Sequence, residues 1–157
     1  MAGVMSRAFI KETDEPIDDL PDRTISPHPN FVTPEGLALI EATLARLHDD
    51  HAAALAADQR PALARIGRDL RYWTARRASA EVVTAPPDPS GVRFGCTVTI
   101  ARADGRQQTF RIVGEDEADP AQGRLSHASP LARALMGQNV GDEARVGSSD
   151  VEILGIA

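Results

Sequence analysis

The sequence predicts an α+β protein built as an antiparallel coiled-coil hairpin followed by a small antiparallel sheet domain with one short helix. Three observations predict it. Apolar residues recur at alternating three- and four-residue spacing across residues 33–83, a proline-rich stretch breaks the pattern at 84–91, and beyond it the apolar period falls to two. Residues 1–32 precede all of this with four prolines, six acids and no sustained period, as an irregular acidic tail does. Within that tail only Ala8-Phe9-Ile10 offers an apolar patch, and an unstructured segment is the plainer reading of it.

The hairpin follows from two matched stripes. Leu37, Ile40, Leu44, Leu47, His51 and Ala54 share one helical face, and Leu63, Ile66, Leu70, Trp73, Arg77 and Ala80 repeat the spacing. Paired from the outside in, Leu37 meets Ala80, Leu44 meets Trp73 and Ala54 meets Leu63, which puts the fold between Asp58 and Gln59. Asp58-Gln59-Arg60-Pro61 breaks the period there, and proline suits only a first helical turn. Thr33-Pro34-Glu35 opens the first arm with an N-cap and an N1 proline. That arm is expected over Pro34 to Ala57, roughly 36 Å long at 1.5 Å per residue, and the second over Pro61 to Val83. His51 and Arg77 occupy apolar slots near the hairpin ends, from which they can lean out to water.

Two clusters on the arms invite chemistry. In His48-Asp49-Asp50-His51 the histidines share a face while the acids point sideways, which reads as a solvated helical face rather than a metal site. Arg65, Arg68, Arg71, Arg76 and Arg77 read first as partners for Glu41, Asp49 and Asp50 on the opposite arm. The alternative is a basic stripe facing a nucleic-acid backbone.

Past the linker, Val92, Phe94, Cys96, Val98 and Ile100 alternate as a strand, Asp104-Gly105 turns the chain, and Phe110 with Ile112 begins the return. An acidic loop runs from Gly114 to Asp119, and a short strand follows near Arg124 to Ser126. Ser129-Pro130 then has the chemistry to start a helix over Leu131 to Met136 that Gly137 stops. Two last strands are expected near Ala144 to Val146 and Val151 to Ile156.

Bulk properties narrow the function. Aromatics at 4% leave little material for a large core, and the single cysteine, Cys96, supports neither a disulfide framework nor a metal cluster. With no apolar run of membrane length and no signal-peptide core, a soluble cytoplasmic protein is expected. The net charge of −6 splits into −3 on residues 1–32, zero on 33–83 and −3 on 84–157, so nothing draws the chain as a whole to nucleic acid.

Several segments of the second half resemble the C-terminal domain of bacterial Gre transcript-cleavage factors. They are Val92-Arg93-Phe94-Gly95-Cys96-Thr97-Val98, the run from Thr109 to Asp119, Ser129-Pro130-Leu131-Ala132-Arg133-Ala134-Leu135, and Val140-Gly141-Asp142. The resemblance covers residues 33–157 and implies an FKBP-like fold for residues 92–157 beside the coiled coil. It further implies docking at the rim of the RNA polymerase secondary channel, on the β′ subunit, with the coiled coil entering the channel. Ser129, Pro130, Leu131 and Arg133 then become docking candidates, although Ser129 and Pro130 would start the helix in any case and Leu131 has a plain place in the core.

Active Gre factors carry two acids three residues apart at the hairpin tip, where they help the polymerase hold Mg²⁺ and activate water. Asp58 matches the first. The third residue on is Pro61, which offers no ligand, and the arms are shorter than the family's by roughly two turns, about 10 Å. The resemblance therefore implies an RNA-polymerase-binding elongation regulator with weak or no stimulation of transcript cleavage. It is expected to be a monomer and not an enzyme, with no catalytic residue beyond the tip candidate Asp58 and no metal or cofactor of its own. Mg²⁺ would be the polymerase's, nucleic acid would be met only inside that complex, and no membrane is involved. The alternatives are an active cleavage factor using Asp58, an FKBP-like prolyl isomerase or peptide-binding module, and a free-standing nucleic-acid binder using Arg65 and Arg68. Against the isomerase stands the shortage of pocket aromatics in the C-terminal domain, which has only Phe94 and Phe110.

Overall fold

A computed structural model describes residues 20–157. The chain runs through β1 (Phe31–Val32), α1 (Pro34–Ala56), α2 (Arg60–Ser79), β2 (Glu81–Val82), β3 (Thr97–Arg102), β4 (Gln107–Val113), β5 (Arg124–Ser126), α3 (Pro130–Leu135), β6 (Glu143–Val146) and β7 (Ser149–Ile156). A single 3₁₀ turn, Pro120–Gln122, lies between β4 and β5.

The two helices fold back on each other as the matched stripes require. Ile40, Leu47 and Ala54 are buried on α1, and Leu37, Leu44 and His51 are half-buried between them. Thr33 starts α1 as read from the sequence: its hydroxyl oxygen accepts the Gly36 amide at 2.9 Å, and Pro34 follows at the first helical position. On α2 Leu63, Ile66, Leu70 and Trp73 are half-buried; Arg77 leans out as expected, and the departure is the burial of Arg76. Arg77 is exposed and pairs with Glu41 across the hairpin at 3.0 Å, while its neighbour Arg76 is 1% exposed.

Helix α2 stops at Ser79, short of the expected Val83. Asn30 explains the stop, because its side-chain amide donates to the Arg76 carbonyl at 2.8 Å and so satisfies one of the helix's orphan acceptors. Ala80 then turns extended, and Glu81–Val82 pairs in parallel with Phe31–Val32. The tail also differs from expectation where it is described. Residues 20–30 are irregular but tied down, with Asp22, Arg23 and Asn30 bonded to α2, and Phe31–Val32 is a strand; Ala8-Phe9-Ile10 falls outside the described residues.

The five-stranded sheet has the order β5-β4-β3-β7-β6. It is mixed rather than wholly antiparallel, because β5 runs parallel to β4 with Ile112 opposite Leu125. The acidic loop and 3₁₀ turn carry the chain back along β4 before β5 begins, which is the crossover a parallel pair needs. Residues 92–96 are not a strand, although all but the exposed Arg93 are buried. Gly95 holds φ at +85°, and the Cys96 amide closes a turn on the Arg93 carbonyl at 3.1 Å, so pairing starts only at Thr97. Val98, Ile100, Ile112, Leu125, Val151 and Ile153 form the core face, and α3 closes it with Ala132 and Leu135.

Candidate functional site

Three places could carry function: the hairpin tip, the α3 face, and the joint between the helices and the sheet. At the tip the chain leaves α1 through Ala57 and takes a left-handed conformation at Asp58, with φ +51°. The Gln59 amide reaches back to the Ala54 carbonyl at 2.9 Å and the Asp58 amide to Leu55 at 3.2 Å. Those two bonds are a Schellman cap, with Asp58 where glycine usually stands. Aspartate tolerates this conformation better than most residues, so turn geometry alone accounts for its presence. Its carboxylate is exposed, as is Pro61 three residues on.

On the α3 face the four predicted docking residues divide. Ser129 is occupied locally: its hydroxyl donates to the Ser126 carbonyl at 2.7 Å and accepts the Ala132 amide at 3.3 Å. Leu131 packs against the sheet core. Pro130 and Arg133 face outward, and Arg133 makes no ion pair among the described residues. Beside Arg133 lies a groove of about 310 Å³ bordered by His28, Phe31, His127 and Met136. Phe31 and His127 join Phe94 in an aromatic trio, with centroids 5.5–5.9 Å apart. Composition of the C-terminal domain alone misses two of these three rings. They pack on one another at the edge of the grooves they border, and burial holds the His127 imidazole below its ordinary pKa.

The joint is what the sequence reading missed. Arg76 reaches out of α2 into the acidic loop, where Nε donates to Asp116 at 2.5 Å and one Nη2 sits 3.5 Å from Glu115 and 2.7 Å from Asn30 Oδ1. Tyr72, one helical turn earlier, donates its hydroxyl to Asp116 as well. Burial first, then that carboxylate, pushes the Tyr72 phenol up to about 12. Thr33 adds a hydroxyl bond to Glu117 at 2.6 Å, and Arg111 of β4 meets Glu35 at 3.3 Å. The acidic loop thus clasps the base of both helices. Of the α2 arginines, only Arg77 takes a partner expected from the opposite arm; Arg71 instead binds Asp22 of the tail at 2.6 Å.

A run of acids at 115–117 facing an arginine helix was the available signal. Periodicity could not pair them, since some 40 residues separate Arg76 from Asp116. Among the described residues no group of three or more His, Cys, Asp or Glu side chains converges as metal ligands would, and no helix is long and apolar enough to cross a membrane.

Residues 87–157 match the family described as transcription elongation factor, GreA/GreB, C-terminal. A GreA from Hyphomonas neptunium is 62% identical over 58 residues, covering 36% of this chain and 37% of that relative. A GreB from Neisseria meningitidis serogroup A is 43% identical over 101 residues, or 58% of this chain and 60% of that relative. Among solved structures, the GreA factor homolog Gfh1 of Thermus thermophilus superposes at a TM-score of 0.40 and 14% identity, over 83% of this chain and 99% of that one. That overlay is too loose to define a common arrangement.

Residues 87–157, a little under half of the chain, are similar in sequence to the C-terminal domain of GreA/GreB factors. The chain spans about two fifths to three fifths of the lengths of these two curated relatives.

Proposed function

We propose that this protein is a regulator of transcript elongation that binds RNA polymerase, docks through its C-terminal domain at the secondary-channel rim on β′, and stimulates transcript cleavage weakly or not at all. The match of residues 87–157 to the GreA/GreB C-terminal family carries this reading. In it, Pro130 and Arg133 are the docking contacts, because they alone of the four candidates are exposed, while Ser129 and Leu131 shape the helix that presents them. The helices act as a coiled coil set on an FKBP-like domain and enter the channel.

Weak or absent cleavage follows from the tip. A loosely held Mg²⁺ needs carboxylate oxygens, and Asp58 is the lone acid of a turn in which Pro61 takes the second place. The protein acts as a cytoplasmic monomer and is no enzyme in its own right. The reading in which Asp58 supports cleavage rests on the exposure of its carboxylate. In that case too, the metal is the polymerase's own.

Co-purification of the tagged chain with RNA polymerase tests the docking. The parent retains the polymerase, and Arg133→Ala weakens retention about tenfold, as loss of a charged hydrogen bond does. Pro130→Ala weakens it less. A folded parent that retains no polymerase contradicts the proposal.

A further inference from the structure

Residues 22–32 touch three different elements in eleven residues. Asp22 accepts from Arg71 Nε at 2.6 Å, and Arg23 donates to Asp69 at 3.3 Å while its guanidinium lies 3.8 Å from the centre of the Tyr72 ring. Ser26 then leaves α2 and donates its hydroxyl to Glu115 of the acidic loop at 2.8 Å. Asn30 binds Arg76 twice, through its guanidinium and its carbonyl, before Phe31–Val32 pairs with Glu81–Val82. By contrast, the covalent link from β2 to β3 borders an open groove of about 1130 Å³ along Val83–Asp88 and Ser90–Phe94. Residues 84–90 of that link are exposed or half-buried, so this part leaves the angle to other contacts.

We propose that residues 22–32 are a strap that holds the helical pair at a set angle to the sheet by bracing Tyr72 and Arg76 against Glu115 and Asp116, and that its release lets the hairpin tilt at its base. The device stands independently of the partner proposed above. Its outer ion pairs at Asp22 and Arg23 are partly exposed, so salt loosens them first. A charge at residue 26 would face Glu115 and break the inner contact. Because α1 is about 35 Å long, a tilt of about 10° at the base carries the tip about 6 Å.

Distance measurement between nitroxides tests this in the full chain, with labels on Gln59→Cys at the tip and Glu152→Cys on β7. Cys96 is fully buried and stays unlabelled. The parent gives one narrow distance. In the combined variant Asp22→Asn, Arg23→Ala, Ser26→Asp the distribution widens about twofold or its mean moves by about 6 Å, with amide protection in β3 and β7 kept. An unchanged distribution overturns the proposal, and so does a parent already as broad as the variant. Should the variant lose sheet protection, exchange in the parent decides. The Glu81 and Val83 amides, bonded to the Asn30 and Val32 carbonyls at 2.9 Å, then exchange at least about tenfold slower than those of the tip turn. Equal exchange refutes the strap.

Discussion

At the tip of the hairpin Asp58 stands exposed in a left-handed turn, whereas at its base the Asp116 side chain is only 9% exposed and engaged by both Tyr72 and Arg76. In sequence Asp58 stands alone among its neighbours, whereas Asp116 lies within the acidic run Glu115-Asp116-Glu117. One is placed by backbone geometry and has no side-chain partner among the described residues; the other is placed by two partners from a different element. An acid fixed by a turn can be replaced by any residue the turn accepts. An acid buried beside an arginine cannot be removed without stranding that arginine, which makes the base the part of the helical pair that specifies how the molecule is assembled.

The largest effect should come from breaking the base. Arg76→Ala strands Asp116 in a buried site and is expected to destabilise the protein by about 3–5 kcal/mol in urea unfolding. A loss under about 1 kcal/mol would place Asp116 in water and erase the contrast with Asp58.

Tyr72 sharpens the comparison, because it is the chain's single tyrosine and can be titrated by ultraviolet absorbance. The folded phenol titrates at about 12, and Asp116→Asn should bring it down toward its ordinary value near 10. The sign follows from a folded pKa raised above the unfolded one. This contribution to stability is complete below about pH 10 and fades as pH rises to about 12. A midpoint that ignores the Asn substitution would remove Asp116 from the account of Tyr72.

A smaller loss is expected where β4 ends. A methyl group on Gly114 would sit 2.5 Å from the Phe31 carbonyl oxygen, a backbone atom with little room to move. Gly114→Ala should therefore push the β1–β2 pair off the sheet and lower stability by roughly 1–3 kcal/mol, with amide exchange quickening first at Glu81 and Val83. The smallest effect belongs to the tip. Asp58→Gly relieves a left-handed aspartate and should stabilise by up to about 1 kcal/mol. Clear destabilisation would mean that the Asp58 side chain makes a contact of its own.

The hairpin was legible because a three–four spacing repeats on both arms and closes on one register, and Ser129-Pro130 announced α3 through capping chemistry alone. What escaped were contacts between distant segments. Neighbouring Arg76 and Arg77 look interchangeable by period, yet Arg76 is buried because Asn30 and Asp116 meet it from far along the chain. The same blindness extended α2 past Ser79, where Asn30 stops it. It also left β5 antiparallel, since nothing in Arg124-Leu125-Ser126 records the direction from which the loop returns. At the candidate site, the outward places of Pro130 and Arg133 and the capping bond of Ser129 could be guessed from a helix start, but the Ser129 bond to the Ser126 carbonyl could not.

Transcript cleavage in backtracked RNA polymerase complexes, with and without this protein, tests the central claim most directly. The account predicts that the protein binds such complexes while RNA cleavage stays within about twofold of the polymerase alone, and that Asp58→Ala changes nothing. Robust cleavage that disappears in Asp58→Ala would contradict it.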